Sequence, residues 1–100
     1  MSYIVKVESG KVKVYEGKTL KGTLGNGKVV AACCNDEWVF IVEKGQVAQY
    51  AIATRSRKRT LGSGDSAIDV TMNGDRVVVE YANGKHKEYD AKTGSHKRTF

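Results

Sequence analysis

Apolar and polar residues alternate from the start of the chain. Tyr3, Val5 and Val7 share one face of a segment whose other face carries Ile4 and Lys6, the period-2 pattern of a half-buried strand. Ser9-Gly10 then turns the chain into Lys11–Tyr15, where Val12 and Val14 alternate with lysines. Further strands are expected at Thr19–Leu24, Val29–Cys34, Trp38–Glu43, Gln46–Ile52, Ala67–Met72, Arg76–Tyr81 and Lys85–Tyr89. Between them stand turn signals: Gly17-Lys18, Gly25-Asn26-Gly27, Asn35-Asp36, Lys44-Gly45, Asn73-Gly74-Asp75 and Asn83-Gly84. Asn83-Gly84 is the strongest hairpin signal, because both residues tolerate positive φ. No window combines helical spacing with a cap, so little or no helix is expected.

The strands repeat. Sliding the chain on itself by 39 residues sets Val29–Leu61 on Ile68–Phe100 without a gap, with nine of 33 pairs identical. The identities include Asp36/Asp75, Gly45/Gly84, Tyr50/Tyr89, Thr54/Thr93 and Lys58-Arg59-Thr60/Lys97-Arg98-Thr99. The beginning follows the same pattern in shorter form: Tyr3–Gly10 matches Trp38–Gly45, and Thr23-Leu24-Gly25 matches Thr60-Leu61-Gly62. The chain therefore reads as one domain over 1–100, with units at about 1–25, 26–62 and 63–100. The first unit lacks its opening strand. Such repeats bury their faces only against one another.

Composition agrees. Thirteen Val, four Ile and seven Thr stand against three Leu, and β-branched side chains favour pleated strands. The fold class is all-β: an antiparallel meander of four-stranded repeats, with a β-sandwich or barrel as the alternative.

The last unit carries a family likeness. From Ile68-Asp69-Val70 through Asn73-Gly74-Asp75 to Tyr89-Asp90-Ala91-Lys92-Thr93-Gly94, it resembles one blade of a β-propeller of the tryptophan–aspartate (WD) repeat or quinoprotein type. In those families the third strand ends in aromatic-Asp, a Thr-Gly turn follows and an outer strand returns. No Gly-His opens a unit here, Tyr89 replaces the Trp, and the middle unit has Tyr50-Ala51 at that place. The resemblance implies an architecture and no particular activity. Propellers close with roughly 4–8 blades, and fewer than three units point to a homo-oligomer.

Candidate chemistry is sparse. Cys33 and Cys34 point to opposite faces of a strand and cannot jointly hold a metal; small buried thiols in a reducing cytoplasm are the plain reading, an adjacent-cysteine redox switch the sharper one. His86 and His96 read as solvated among Lys and Arg. Asp65, Asp69, Asp75, Asp90 and Ser66 sit near turns, where turn-stabilising side-chain bonds explain them better than a catalytic pair. Gly62-Ser63-Gly64 is too short for a phosphate loop and precedes no helix. No catalytic constellation, metal site or cofactor site is expected. No run approaches the roughly 18 apolar residues of a membrane span, so a cytoplasmic protein is expected.

The net charge of +6 is concentrated in the second half, which carries 10 Lys and Arg against 6 acids. The dense run is Arg55, Arg57, Lys58 and Arg59, echoed by Lys97 and Arg98 beside His96. On a strand, Arg55, Arg57 and Arg59 would share one face. That face is either a phosphate-contacting ridge for nucleic acid or a charged guard on an exposed strand. The recurrence of the basic pair with the repeat, and the lack of interleaved aromatics, favour the guard. Two functions follow: a non-enzymatic binding or scaffold protein that self-assembles, or a nucleic-acid-binding protein using residues 55–59 and 96–98.

Overall fold

The computed structural model describes residues 3–25, 27–61 and 66–100. Eleven strands are present among them: β1 (Tyr3–Glu8), β2 (Lys11–Glu16), β3 (Thr19–Leu24), β4 (Val29–Cys34), β5 (Trp38–Glu43), β6 (Gln46–Ala51), β7 (Arg57–Leu61), β8 (Ala67–Asn73), β9 (Arg76–Tyr81), β10 (His86–Asp90) and β11 (His96–Thr99). They form three separate antiparallel sheets, β1-β2-β3, β4-β5-β6-β7 and β8-β9-β10-β11. Each sheet is an up-and-down meander, so neither the sandwich nor the barrel alternative describes the chain.

The sheets stack face to face, with one core in each joint. Val12, Val14 and Leu24 of the first sheet meet Val39, Ile41, Ala48 and Ile52 of the second. Phe40, Val42, Val47 and Leu61, on the second sheet's other face, meet Val70, Val77, Val79, Tyr81 and Tyr89 of the third. The middle sheet is thus buried on both faces, which explains the unbroken apolar run Val39-Phe40-Ile41-Val42 in β5. Burying a side chain of this size stabilises by roughly 1.5–3 kcal/mol.

Backbone ties recur between units. The N–H of Val29 donates to the carbonyl of Gly10, and that of Ala67 to the carbonyl of Gly45. Within units, Ile52 N–H donates to Glu37 and Ala91 N–H to Asp75. These pairs correct the gapless repeat. Val29/Ala67 and Glu37/Asp75 are 38 residues apart, whereas Ile52/Ala91 are 39 apart. The extra residue lies in the loop between β9 and β10. Ser9-Gly10 and Lys44-Gly45 are two-residue turns with both φ positive, but Asn83 keeps a negative φ. Tyr81 N–H instead bonds Lys85 O across a three-residue loop, and the Asn83 side-chain oxygen accepts from Lys85 N–H. The left-handed position is left to Gly84 alone, at φ 86°. Asn83-Gly84 therefore does not form the expected two-residue turn.

Candidate functional site

The basic run is broken up by the fold. Arg55 is not on a strand: it has φ 61° and lies in the turn before β7, where the third unit has Gly94 at φ 78°. No common face with Arg57 and Arg59 exists. A Cβ on Gly22 of the first unit would lie 2.2 Å from Arg55 Cδ, so Arg55 runs across that glycine, its guanidinium donating to Ala53 O. The next joint inverts the arrangement. Arg59 runs across Gly94, whose Cβ would lie 2.7 Å from Arg59 Nη1, and donates to Lys92 O. Each joint therefore has one arginine laid over one glycine.

The remaining basic residues have local partners as well. Every unit bulges where its third strand meets its fourth, between Val14 and Tyr15, Gln49 and Tyr50, and Glu88 and Tyr89. The extra residue on the outer strand is a lysine each time: Lys21, Lys58 and Lys97. Lys21 pairs with Glu16 at 3.6 Å. Lys58 lies 5.9 Å from the Trp38 ring, and Lys97 helps to lower the pKa of Asp90. Arg57 bonds Thr60 Oγ1. Arg98 donates to Glu88 Oε1 at 2.9 Å and covers the Phe100 ring at 4.6 Å.

Sequence reasoning missed Glu88, which is 2% exposed on the outer face of the third sheet. Its burial pushes the carboxyl pKa up; the Arg98 hydrogen bond and charge, then those of Arg76, outweigh this and hold it below the usual range. The repeat carried a signal: Glu88 occupies the place of Gln49, which is fully buried and donates to Ala91 O across the joint. Gln49 Oε1 and Trp38 Nε1 are buried without a partner among the described residues.

The other candidates are dispersed. Asp90, the last residue of β10, stabilises the turn that follows: its carboxylate accepts the N–H groups of Thr93 and Lys92, which lower its pKa. Asp75 and Asp90 line a cleft of about 190 Å³ with Glu37 and Trp38. Asp69, by contrast, is on β8, its carboxylate accepting from Val70 N–H. Cys33 and Cys34 do face opposite ways, one toward each core. Burial pushes the Cys33 thiol up to about 12 and raises that of Cys34, which disfavours the reactive thiolate. His86 stacks on Phe100 and His96 tilts against Tyr89. Gly62-Ser63-Gly64 and Asp65 lie outside the described residues. Among the described residues no cluster of three His, Cys, Asp or Glu could hold a metal, and no helix is long and apolar enough to cross a membrane.

What stands out instead is the pair of end faces. The first sheet's outer face carries Ile4, Lys6, Lys13, Tyr15 and Leu20, with Ile4 52% and Leu20 50% exposed. A cleft of about 270 Å³ there is lined by Ile4, Lys6, Tyr15, Gly17 and Lys18. The third sheet's outer face carries Arg76, Val78, Glu80, His86, Glu88 and Arg98, with Phe100 beside them at 55% exposure.

No family model and no curated protein matches the chain. Solved structures do. Sqt1 of Saccharomyces cerevisiae superposes with a TM-score of 0.74 at 15% identity, over 91% of this chain and 28% of that one. BamB of Moraxella catarrhalis gives 0.72 at 15% identity, over 99% and 32%. The N-terminal domain of Nup159 gives 0.71 at 17% identity, over 96% and 30%. All three are propeller proteins. The chain's three sheets are propeller blades, and it spans about a third of the length of these neighbours.

Proposed function

We propose that this chain is a non-enzymatic binding or scaffold protein that associates head to tail with further copies of itself, the third blade of one copy against the first blade of the next. One observation carries the reading. Inside the chain, Val42 of one blade and Val79 of the next share the joint's core. The residue in the place of Val42 on the free face of the third blade is Glu80, and that in the place of Val79 on the free face of the first is Lys6. Where the interior joint sets apolar against apolar at this place, the two free ends offer Glu80 and Lys6, while Arg76 and Arg98 on the third blade's face are paired with Glu88. Other features fit the same docking: Phe100 stands in the place of buried Leu61, and Arg98 in that of Arg59, which covers a glycine across its joint. Gly17 beside the first blade's cleft offers Arg98 a similar seat.

Charge complementarity at an interface fixes partner and register. The test is a charge swap. Lys6→Glu and Glu80→Lys should each weaken self-association at least about tenfold, since facing like charges cost more than 1.4 kcal/mol. The double variant, or an equimolar mixture of the two single variants, should recover most of it. Equal association of all four samples would overturn the docking. Salt-sensitive binding of random-sequence RNA by chains that remain monomeric would replace this reading with the nucleic-acid one.

A further inference from the structure

The inner edge of β1 is where the first blade differs from the other two. In the second blade the matching edge of β5 is held by β4, with Cys34 opposite Val39, Cys33 opposite Phe40 and Ala32 opposite Ile41. The third blade repeats this register: Met72 opposite Val77, Thr71 opposite Val78, Val70 opposite Val79. The first sheet begins with β1, and among the described residues no strand pairs with its inner edge. The Ser9-Gly10 turn closes on the pair Glu8 and Lys11. In such a hairpin the backbone groups of Glu8, Lys6 and Ile4 face β2, while those of Val7, Val5 and Tyr3 face the open edge. The contact at that edge agrees: the Cys34 thiol donates to Tyr3 O at 3.5 Å. The neighbouring wall is also less covered than its counterpart. Ala32 is half-buried, whereas Val70, in the same place one blade on, is 5% exposed.

We propose that this edge binds an extended peptide as a fourth strand, antiparallel to β1 and in the register that β4 and β8 keep with their partners. β4 of the second blade stands beside the same edge, its Cys34 thiol on Tyr3 O, so the place suits a single extended strand and not the edge of a second folded sheet. The backbone supplies affinity through ladder hydrogen bonds, and alternate side chains supply selectivity. Peptide residues opposite Val5 and Val7 turn toward the second blade, where Ala32 and Cys34 leave room for small or β-branched apolar side chains. The residue opposite Lys6 shares a face with Lys6 and Lys13, which pair across β1 and β2; a carboxylate suits it. The ligand is therefore an extended segment with an acidic residue between two small apolar ones.

The probe is the octapeptide Lys-Val-Thr-Ala-Glu-Val-Thr-Asn, with Ala opposite Val7, Glu opposite Lys6 and the second Val opposite Val5. The readout is alkylation of Cys34 in the intact folded chain, followed by peptide mapping. Saturating peptide should slow that alkylation several-fold while leaving the more buried Cys33 unchanged. Replacing Glu with Lys, or N-methylating the Val opposite Val5, should each raise the half-protecting concentration about tenfold, the first through a like-charge pair and the second through a lost ladder bond. No protection at millimolar peptide, or equal protection by the N-methylated peptide, would overturn the proposal. Protection is read per chain and does not depend on mass, so failure of self-association would leave this test standing.

Discussion

Glycines in this chain do two different jobs, and alanine substitution separates them. Gly84 has φ 86° and nothing within 4 Å of where a Cβ would stand. Gly84→Ala should therefore cost only the left-handed backbone penalty, about 1 kcal/mol. Gly10 has φ 75°, and its carbonyl accepts the N–H groups of both Gly27 and Val29. A Cβ there would lie 2.1 Å from Gly27 O, and backbone cannot step aside as the end of a side chain can. Gly10→Ala should cost about 3 kcal/mol or more, because the tie between the first two blades must move. Urea midpoints of the two variants decide the point, and equal costs would remove the strain assigned to that tie. The Arg55–Gly22 and Arg59–Gly94 pairs show the same logic in side chains. The sequence contained all four residues, but only the fold sets each arginine beside a glycine from a different unit.

At the level of strands, alternation was enough to locate the elements. Valine and lysine in period 2 marked β1 and β2, and glycine-bearing turns bounded most of the rest. The limit came from the loop between β9 and β10. Aligning the units by turn glycines treated Lys44-Gly45 and Asn83-Gly84 as one kind of turn, and identities on both sides hid the one-residue difference. The two alignments bury different residues. A constant 39-residue offset makes Val78 the counterpart of buried Val39; the observed ladder gives that place to Val77. Val77 and Val79 are fully buried, whereas Val78 is half-buried on the outer face. Val77→Ala and Val79→Ala should each cost about 2 kcal/mol, and Val78→Ala less than about 1 kcal/mol. A larger loss at Val78 than at Val77, by thermal or urea unfolding, would restore the gapless alignment. The shared face expected of Arg55, Arg57 and Arg59 fails for a related reason: alternation from Arg55 to Arg59 presumes a strand, and the left-handed residue at Arg55 interrupts it.

For the whole molecule, the stacking of blades leaves two faces without a blade against them, one at each end. Terminal repeats in stacked folds carry polar outer faces, and Glu80, Glu88, Arg76 and Arg98 make the third blade's face polar. Solubility alone does not require the opposite end to be lysine-rich, with Ile4 and Tyr15 lining a cleft and Leu20 exposed beside Tyr15. Head-to-tail contacts form a closed ring only if the rotation per copy divides the circle; two copies supply just under six blades, within the roughly 4–8 at which propellers close. The measurement that bears most directly on this account is the mass of the chain in solution, by light scattering at micromolar concentration and moderate salt. A closed pair predicts a species at twice the 10.9 kDa of the single chain, holding that mass on dilution until it dissociates in one step. A pure 10.9 kDa species across the whole concentration range would contradict it.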